Sequence, residues 1–172
     1  MIHAVSFTPD PVNHRALRTA LGRFATGVTI ITTRTPDGRL EGLTANSFAA
    51  VSLDPPLVLW SLKRHAPSLK SFVGSGYFAV NVLARAQEEL AHRFATPHRD
   101  KFAGVAHVPG LGGAPLLPDT LAAFECSTET TIEGGDHVIF LGRVHRASHR
   151  DGEPLIFSAG RYGTHSALTP LS

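Results

Sequence analysis

Residues 42–71, GLTANSFAAVSLDPPLVLWSLKRHAPSLKS, decide how the rest of the chain is read. Two apolar, β-rich runs frame the reading, residues 28–33 before this stretch and 57–62 inside it. Between them lie small, mostly polar residues: Thr44, Ala45, Asn46, Ser47 and Ser52. After the second run come Ser61, Leu62, Lys63, Arg64, Ser68 and Lys70. Hydroxyls, an amide and cations beside strand ends suit a phosphate-bearing, hydrogen-bonding ligand. Donors hold its oxygens while cations neutralise its charge. On composition alone the simpler account is a hairpin loop with solvated Lys and Arg.

Working outward toward the N-terminus, residues 1–12 read as an extended arm. Asn13 is placed to cap a helix over residues 14–24. Leu17, Ala20, Leu21 and Phe24 fall at i, i+3, i+4 and i+7, one apolar stripe, with Gly27 as a stop. Pro36-Asp37-Gly38 is a turn, and residues 40–45 return as the hairpin partner of 28–33. Asp54-Pro55-Pro56 breaks the sheet pattern, because Pro cannot donate to a ladder.

Toward the C-terminus, residues 67–73 form a short helix with Pro in its first turn. A strand follows at 77–83, then a helix at 86–95 that buries Leu90 and Phe94. Residues 96–120 are irregular, punctuated by Pro97, Pro109, Pro115 and Pro118. Such a long irregular segment is usually functional or mobile. Residues 124–132 alternate, Gly134-Gly135-Asp136 is a hairpin turn, and 138–147 is its partner strand. Residues 155–158 are the last strand, closed by Arg161 and Tyr162. The pattern is mainly β with short helices, an antiparallel barrel with helical embellishments.

At 172 residues the chain reads as one domain spanning 1–172. A formal charge of +2 argues against a nucleic-acid partner, and no Lys/Arg block appears. No apolar run is long enough for a membrane span. The single cysteine, Cys126, rules out an intrachain disulfide. No basic and apolar leader opens the sequence, so the cytoplasm is the expected compartment.

Several chemistries lose their anchor. His145 and His149, on or just past a strand, lie about 13 Å apart, too far for one ion. His92 and His98 lack a partner Cys and any H-E-x-x-H, so no metal is expected. Cys126 sits mid-strand and reads as a small buried hydrophobe rather than a nucleophile. G-x-S-x-G is absent. Gly110-Leu111-Gly112-Gly113-Ala114 follows no strand and precedes Pro115, so it fails as a dinucleotide fingerprint.

The order of short motifs is more specific than any one of them. G-L-T-A-N-S-F (42–48), S-L-D-P-P-L-V (52–58) and S-x-K-R-x-x-x-S (61–68) lie in the central stretch. A-T-G-V-T-I-I-T-T (25–33), Y-F-A-V-N-V-L (77–83), D-K-F (100–102), G-D-H (135–137) and G-R-Y-G (160–163) surround it. In this order and spacing the chain resembles the flavin reductase-like family over residues 17–163. That family is built on the FMN-binding split barrel, and reductase components of two-component monooxygenases typify it.

The resemblance implies an antiparallel split β-barrel and an NAD(P)H:flavin oxidoreductase. Hydride would pass from NADH or NADPH to FMN or FAD, with the nicotinamide lying over the flavin in one cleft. It puts Thr44, Ala45, Asn46 and Ser47 at the flavin ring and ribityl region. Ser61, Leu62, Lys63, Arg64 and Ser68 would serve the phosphate end. It places His137 against the nicotinamide or flavin, and Arg161 and Tyr162 at the edge of that pocket. Lys101 is read equally as a solvated loop lysine or a phosphate partner, and Trp60 as core. A homodimer with flavin near the subunit interface is implied, as is release of reduced flavin to a separate flavin-dependent monooxygenase. Three alternatives remain open: a flavoprotein that keeps its flavin and reduces another acceptor, a non-catalytic flavin-binding or redox-sensing module, and a plain binding barrel without flavin.

Overall fold

The computed structural model describes residues 4–97 and 100–164. Helix α1 (Arg15–Leu21) precedes β1 (Thr26–Gly27), β2 (Thr29–Arg34), β3 (Leu40–Ala45), β4 (Ala49–Leu53) and β5 (Pro56–Lys63). Then come α2 (Leu69–Ser75), β6 (Tyr77–Val82) and α3 (Glu88–Ala95). Two short strands, β7 (Val108–Pro109) and β8 (Pro115–Leu116), lead to the long pair β9 (Ala122–Gly134) and β10 (His137–His149). β11 (Ile156–Ser158) and β12 (Arg161–Gly163) finish the described chain.

Seven strands form one antiparallel sheet in the order β3-β2-β6-β9-β10-β5-β4. Its two edge strands, β3 and β4, are joined by residues 46–48 alone. Laid flat, seven strands would hold those edges about 29 Å apart, at about 4.8 Å per spacing. Three linking residues reach roughly 15 Å at most. The sheet must therefore curl until its edges nearly meet, which makes it a barrel with one open seam.

Alternation sets what the barrel encloses. Val58, Trp60 and Leu62 of β5 and Val138 and Phe140 of β10 point inward, with Ile31, Phe78, Val80, Cys126 and Phe72 of α2. Trp60 is fully buried and stacks on Phe140 with ring centres 4.5 Å apart. Phe72 and Phe78 meet it edge-on. A second core lies outside β2 and β3, where Phe94 of α3 and Phe102 pack with Val28, Ile30, Leu83 and Leu155. Gly42 permits that contact, since a Cβ there would stand 2.6 Å from the Phe94 ring.

Several boundaries differ from the sequence reading. α1 stops at Gly22 rather than Gly27, because the Gly22 carbonyl accepts the Ala159 N–H while Gly27 pairs with Ile156 in β1. Asn13 lies outside the helix and accepts the Arg15 N–H at 3.1 Å. The apolar stripe of this region is not covered: Leu21 is 65% and Phe24 78% exposed. β4 was not expected, since a bulge between Ala50 and Ser52 disturbs the alternation of this edge strand. Pro56 opens β5 opposite Leu53, so Asp54-Pro55 is the turn of a tight hairpin, and Pro is tolerated at a strand's first residue. Residues 100–120 are largely irregular, yet they are tied down. Pro115 accepts from Thr32 Oγ1 at 2.6 Å and from Asn81 Nδ2 at 3.3 Å. Leu117 N–H donates to Asn81 Oδ1 at 2.9 Å.

Candidate functional site

β5 and β10 pair from Leu57 opposite Arg143 to Lys63 opposite His137. Since Leu62 and Val138 face the core, Ser61, Lys63 and His137 stand on the outer face. Beyond Lys63 the chain turns sharply, with the Ala66 N–H on the Lys63 carbonyl at 2.9 Å, and Ser68 heads α2. Arg64 fixes this turn to the β9–β10 hairpin. Its N–H reaches the Asp136 carbonyl at 2.9 Å, and its guanidinium donates to the Gly135 carbonyl at 3.0 Å and pairs with Glu133.

Ser47 closes the seam from the other side. Its Oγ accepts the Ser61 N–H at 2.9 Å and donates to the Ser61 carbonyl at 3.2 Å. Ala45 is buried at the base of this strap, and Asn46 is exposed. Asn46, Ser47, Ser61, Leu62, Lys63, Arg64, Ser68 and His137 thus share one end of the barrel. Leu62, buried in the core, offers only its backbone there. The hydroxyls of Ser61 and Ser68 have no intramolecular hydrogen-bond partner among the described residues. His137 Nδ1 lies 2.8 Å from Asp136 Oδ1. That hydrogen bond, helped by the His137 and Lys63 charges, holds the Asp136 carboxyl below its ordinary pKa. It leaves His137 Nε2 for another partner.

Four other expected site residues are placed by different contacts. Thr44 shares a face of β3 with Gly42, and its hydroxyl donates to the Ala91 carbonyl of α3 at 2.6 Å. Lys101 donates to the Phe94 carbonyl at 2.7 Å and the Gly42 carbonyl at 3.3 Å, closing the C-terminus of α3. Burial lowers its pKa. Tyr162 packs edge-on against His92, ring centres 4.8 Å apart, and burial pushes its phenol up. Arg161 is exposed at the start of β12. Spacing did not reveal which face of β3 Thr44 takes, nor that a lysine could serve carbonyls.

The sequence reading missed Glu133 and Asp136 as anchors, and the Ser47–Ser61 tether. Asp136 had a signal, its place beside His137 in a two-residue turn. Cys126 is buried, and its thiol is pushed up to about 12 by desolvation, so it offers no thiolate. His145 Nε2 is engaged by Ser127 Oγ at 2.8 Å. His98 lies outside the described residues. Among the described residues no three His, Cys, Asp or Glu gather as metal ligands. No helix there is long and apolar enough to cross a membrane.

The family model described as "Flavin reductase like domain" matches residues 21–166. The chain belongs to that family. This flavin reductase-like domain is 46% identical over 160 residues to FMN reductase (NADH) SmoA of Agrobacterium fabrum, covering 93% of this chain and 91% of that protein. It is 44% identical over 154 residues to HsaB of Rhodococcus jostii, a flavin-dependent monooxygenase reductase subunit, covering 89% and 78%. Its fold is similar to that of the NADH:FAD oxidoreductase SgcE6 of Streptomyces globisporus, solved with NAD and FAD fragments. There the TM-score is 0.86 at 39% identity, covering 96% of this chain and 98% of that one. Some longer relatives exceed it, and the chain spans 50% and 59% of two of them.

Proposed function

We propose that this flavin reductase-like domain is an NAD(P)H:flavin oxidoreductase that passes hydride from NADH or NADPH to FMN or FAD and supplies reduced flavin to a separate monooxygenase. The observation that carries the reading is the family match across residues 21–166. A relative named as an FMN reductase and another named as a monooxygenase reductase subunit support it. A phosphate-bearing flavin fits the barrel end, where two hydroxyls without partners stand beside Lys63. A bound flavin supplies the hydride acceptor.

The chain's own residues bind and orient. Ser61 and Ser68 donate to phosphate oxygens and Lys63 offsets their charge. Arg64, committed to Glu133 and Gly135, holds the cradle's shape. Ser47 fixes the strap, leaving the Asn46 amide for the ring side. Thr44 and Lys101 support α3, and Arg161 and Tyr162 flank the cleft from β12. No proton-transfer residue is needed for hydride transfer, so alignment is the protein's main contribution. Purified protein should consume NADH or NADPH only when FMN or FAD is added. Flavin retained through purification would favour a flavoprotein with another acceptor. No nucleotide consumption with either flavin would overturn the reductase reading.

His137 is read as the nicotinamide-positioning residue, held by Asp136. His137→Ala should raise the KM for NAD(P)H or slow flavin reduction, leaving flavin affinity nearly unchanged. One neutral hydrogen bond is worth roughly 0.5–1.5 kcal/mol, so the change should reach at most about tenfold. Stopped-flow reduction over a nicotinamide titration measures it. Unchanged kinetics would make His137 a turn residue.

The domain is also read as a cytoplasmic homodimer. Leu57, Leu59, Ile139, Leu141 and Ile132 form an outward apolar face, and Leu53, 95% exposed, and Val51 in the bulge stand on the adjoining edge strand. Exposed apolar patches of this kind mark interaction surfaces. Sedimentation should give twice the 18.4 kDa chain mass, and Leu53→Asp should shift the protein toward monomer.

A further inference from the structure

The S-x-K-R-x-x-x-S order groups Arg64 with the phosphate, but its contacts lead to the hairpin that carries His137. The turn between β9 and β10 is Gly135-Asp136, with Gly135 at φ 67°. His137 opens β10, paired with Gly134 on one side and Lys63 on the other. It stands at the last rung of both ladders, so the turn decides where its ring sits.

One residue takes both carbonyls of that turn. The Arg64 N–H donates to the Asp136 carbonyl at 2.9 Å, and the guanidinium donates to the Gly135 carbonyl at 3.0 Å. The same guanidinium pairs with Glu133, two residues before the turn's Gly135. Asp136 in turn holds the His137 ring, Oδ1 to Nδ1 at 2.8 Å. Arg64 thus reaches the imidazole through a single intervening residue. An exposed ion pair alone contributes little. Here it is joined by two hydrogen bonds to one two-residue turn, and the planar fork serves two acceptors in a fixed geometry.

Resting on the reductase reading, we propose that Arg64 is a positioning residue for the nicotinamide: through the Gly135-Asp136 turn it sets where the His137 imidazole stands, and it leaves the flavin phosphate to Ser61, Lys63 and Ser68. A displaced imidazole disturbs the alignment of the nicotinamide, so the effect of losing Arg64 falls on nicotinamide binding and hydride transfer. Flavin phosphate keeps its own contacts.

The test uses the full chain saturated with FMN. NAD⁺ (NADP⁺ if the wild type prefers NADPH) is the first probe, because it cannot reduce oxidised flavin and its binding is read without turnover. Arg64→Met keeps the aliphatic stem and removes the guanidinium. It should weaken binding of the oxidised nucleotide and slow flavin reduction in stopped flow, each roughly three- to tenfold and no more than His137→Ala does. Glu133→Gln removes the guanidinium's carboxylate without touching β5, and should act in the same direction. Combined with His137→Ala, Arg64→Met should cause no further loss, since residues that act through one group are not additive. FMN and riboflavin titrations should fall together, their ratio changing less than about threefold, because no contact to phosphate is removed.

A larger selective loss of FMN returns Arg64 to the phosphate and overturns the inference. So do nicotinamide affinity and reduction rate that stay unchanged in both variants, or an Arg64→Met loss that adds in full to that of His137→Ala. These failures are read against wild-type protein that oxidises NADH or NADPH with FMN. Wild-type protein without that turnover fails the reductase reading itself.

Discussion

Replacing Ser61 and Ser68 together by alanine is expected to weaken FMN and FAD binding at least tenfold and to leave riboflavin binding nearly unchanged. The two hydroxyls stand at the end of β5 and the head of α2 and make no intramolecular hydrogen bond that the change would break. Hydrogen bonds to a charged group contribute roughly 1.5–3 kcal/mol each, so losing one already costs about tenfold and losing two roughly a hundredfold or more. Riboflavin lacks the phosphate and serves as the internal control. The Ser61 backbone still meets Ser47, so the strap stays in place. Fluorescence titration of all three flavins reads the result. Equal weakening of all three would put the phosphate elsewhere.

Asn81→Leu is expected to cost roughly 2–5 kcal/mol of folding stability, because it leaves buried polar groups without partners. Asn81 is fully buried on β6. Its Nδ2 donates to the Ile30 carbonyl at 3.1 Å and lies 3.3 Å from both the Thr32 hydroxyl and the Pro115 carbonyl. Its Oδ1 accepts from Leu117. One amide thereby binds β2, β6 and the irregular segment into a unit. Leucine has similar bulk and none of these bonds, so lost packing is not the cause being measured. A lower denaturant midpoint with unchanged slope would match this account. A shift under about 0.5 kcal/mol would mean that the segment is held by something else.

Much of the barrel was legible because its strands repeat every second residue. The runs at 28–33, 57–62 and 77–83 and the alternation at 124–132 each gave a strand near its observed place. β4 escaped because a bulged edge strand of small residues has no clean period. The first helix was recognised from its stripe, but the stripe says nothing about what covers it. Leu21 and Phe24 remain exposed on the single chain. At the site, the S-x-K-R-x-x-x-S run was legible as a cluster because β5 and its turn are local. The contacts of Thr44 and Lys101 were not, because their partners, Ala91 in one case and Phe94 with Gly42 in the other, come from packing between distant segments. Tyr162 likewise meets His92 only through tertiary packing.

The link between β3 and β4 acts as a gauge on the barrel. Its contour length, rather than a ladder of hydrogen bonds, sets the girth at the open side. Chain added at the Pro36-Asp37-Gly38 turn would project into solvent and disturb only that turn's own hydrogen bonds. The same addition within residues 46–48 would let the two edges drift apart and carry Asn46 away from the end of β5. Tolerance to inserted residues therefore follows position around the barrel, and this short surface loop belongs among its most length-sensitive segments.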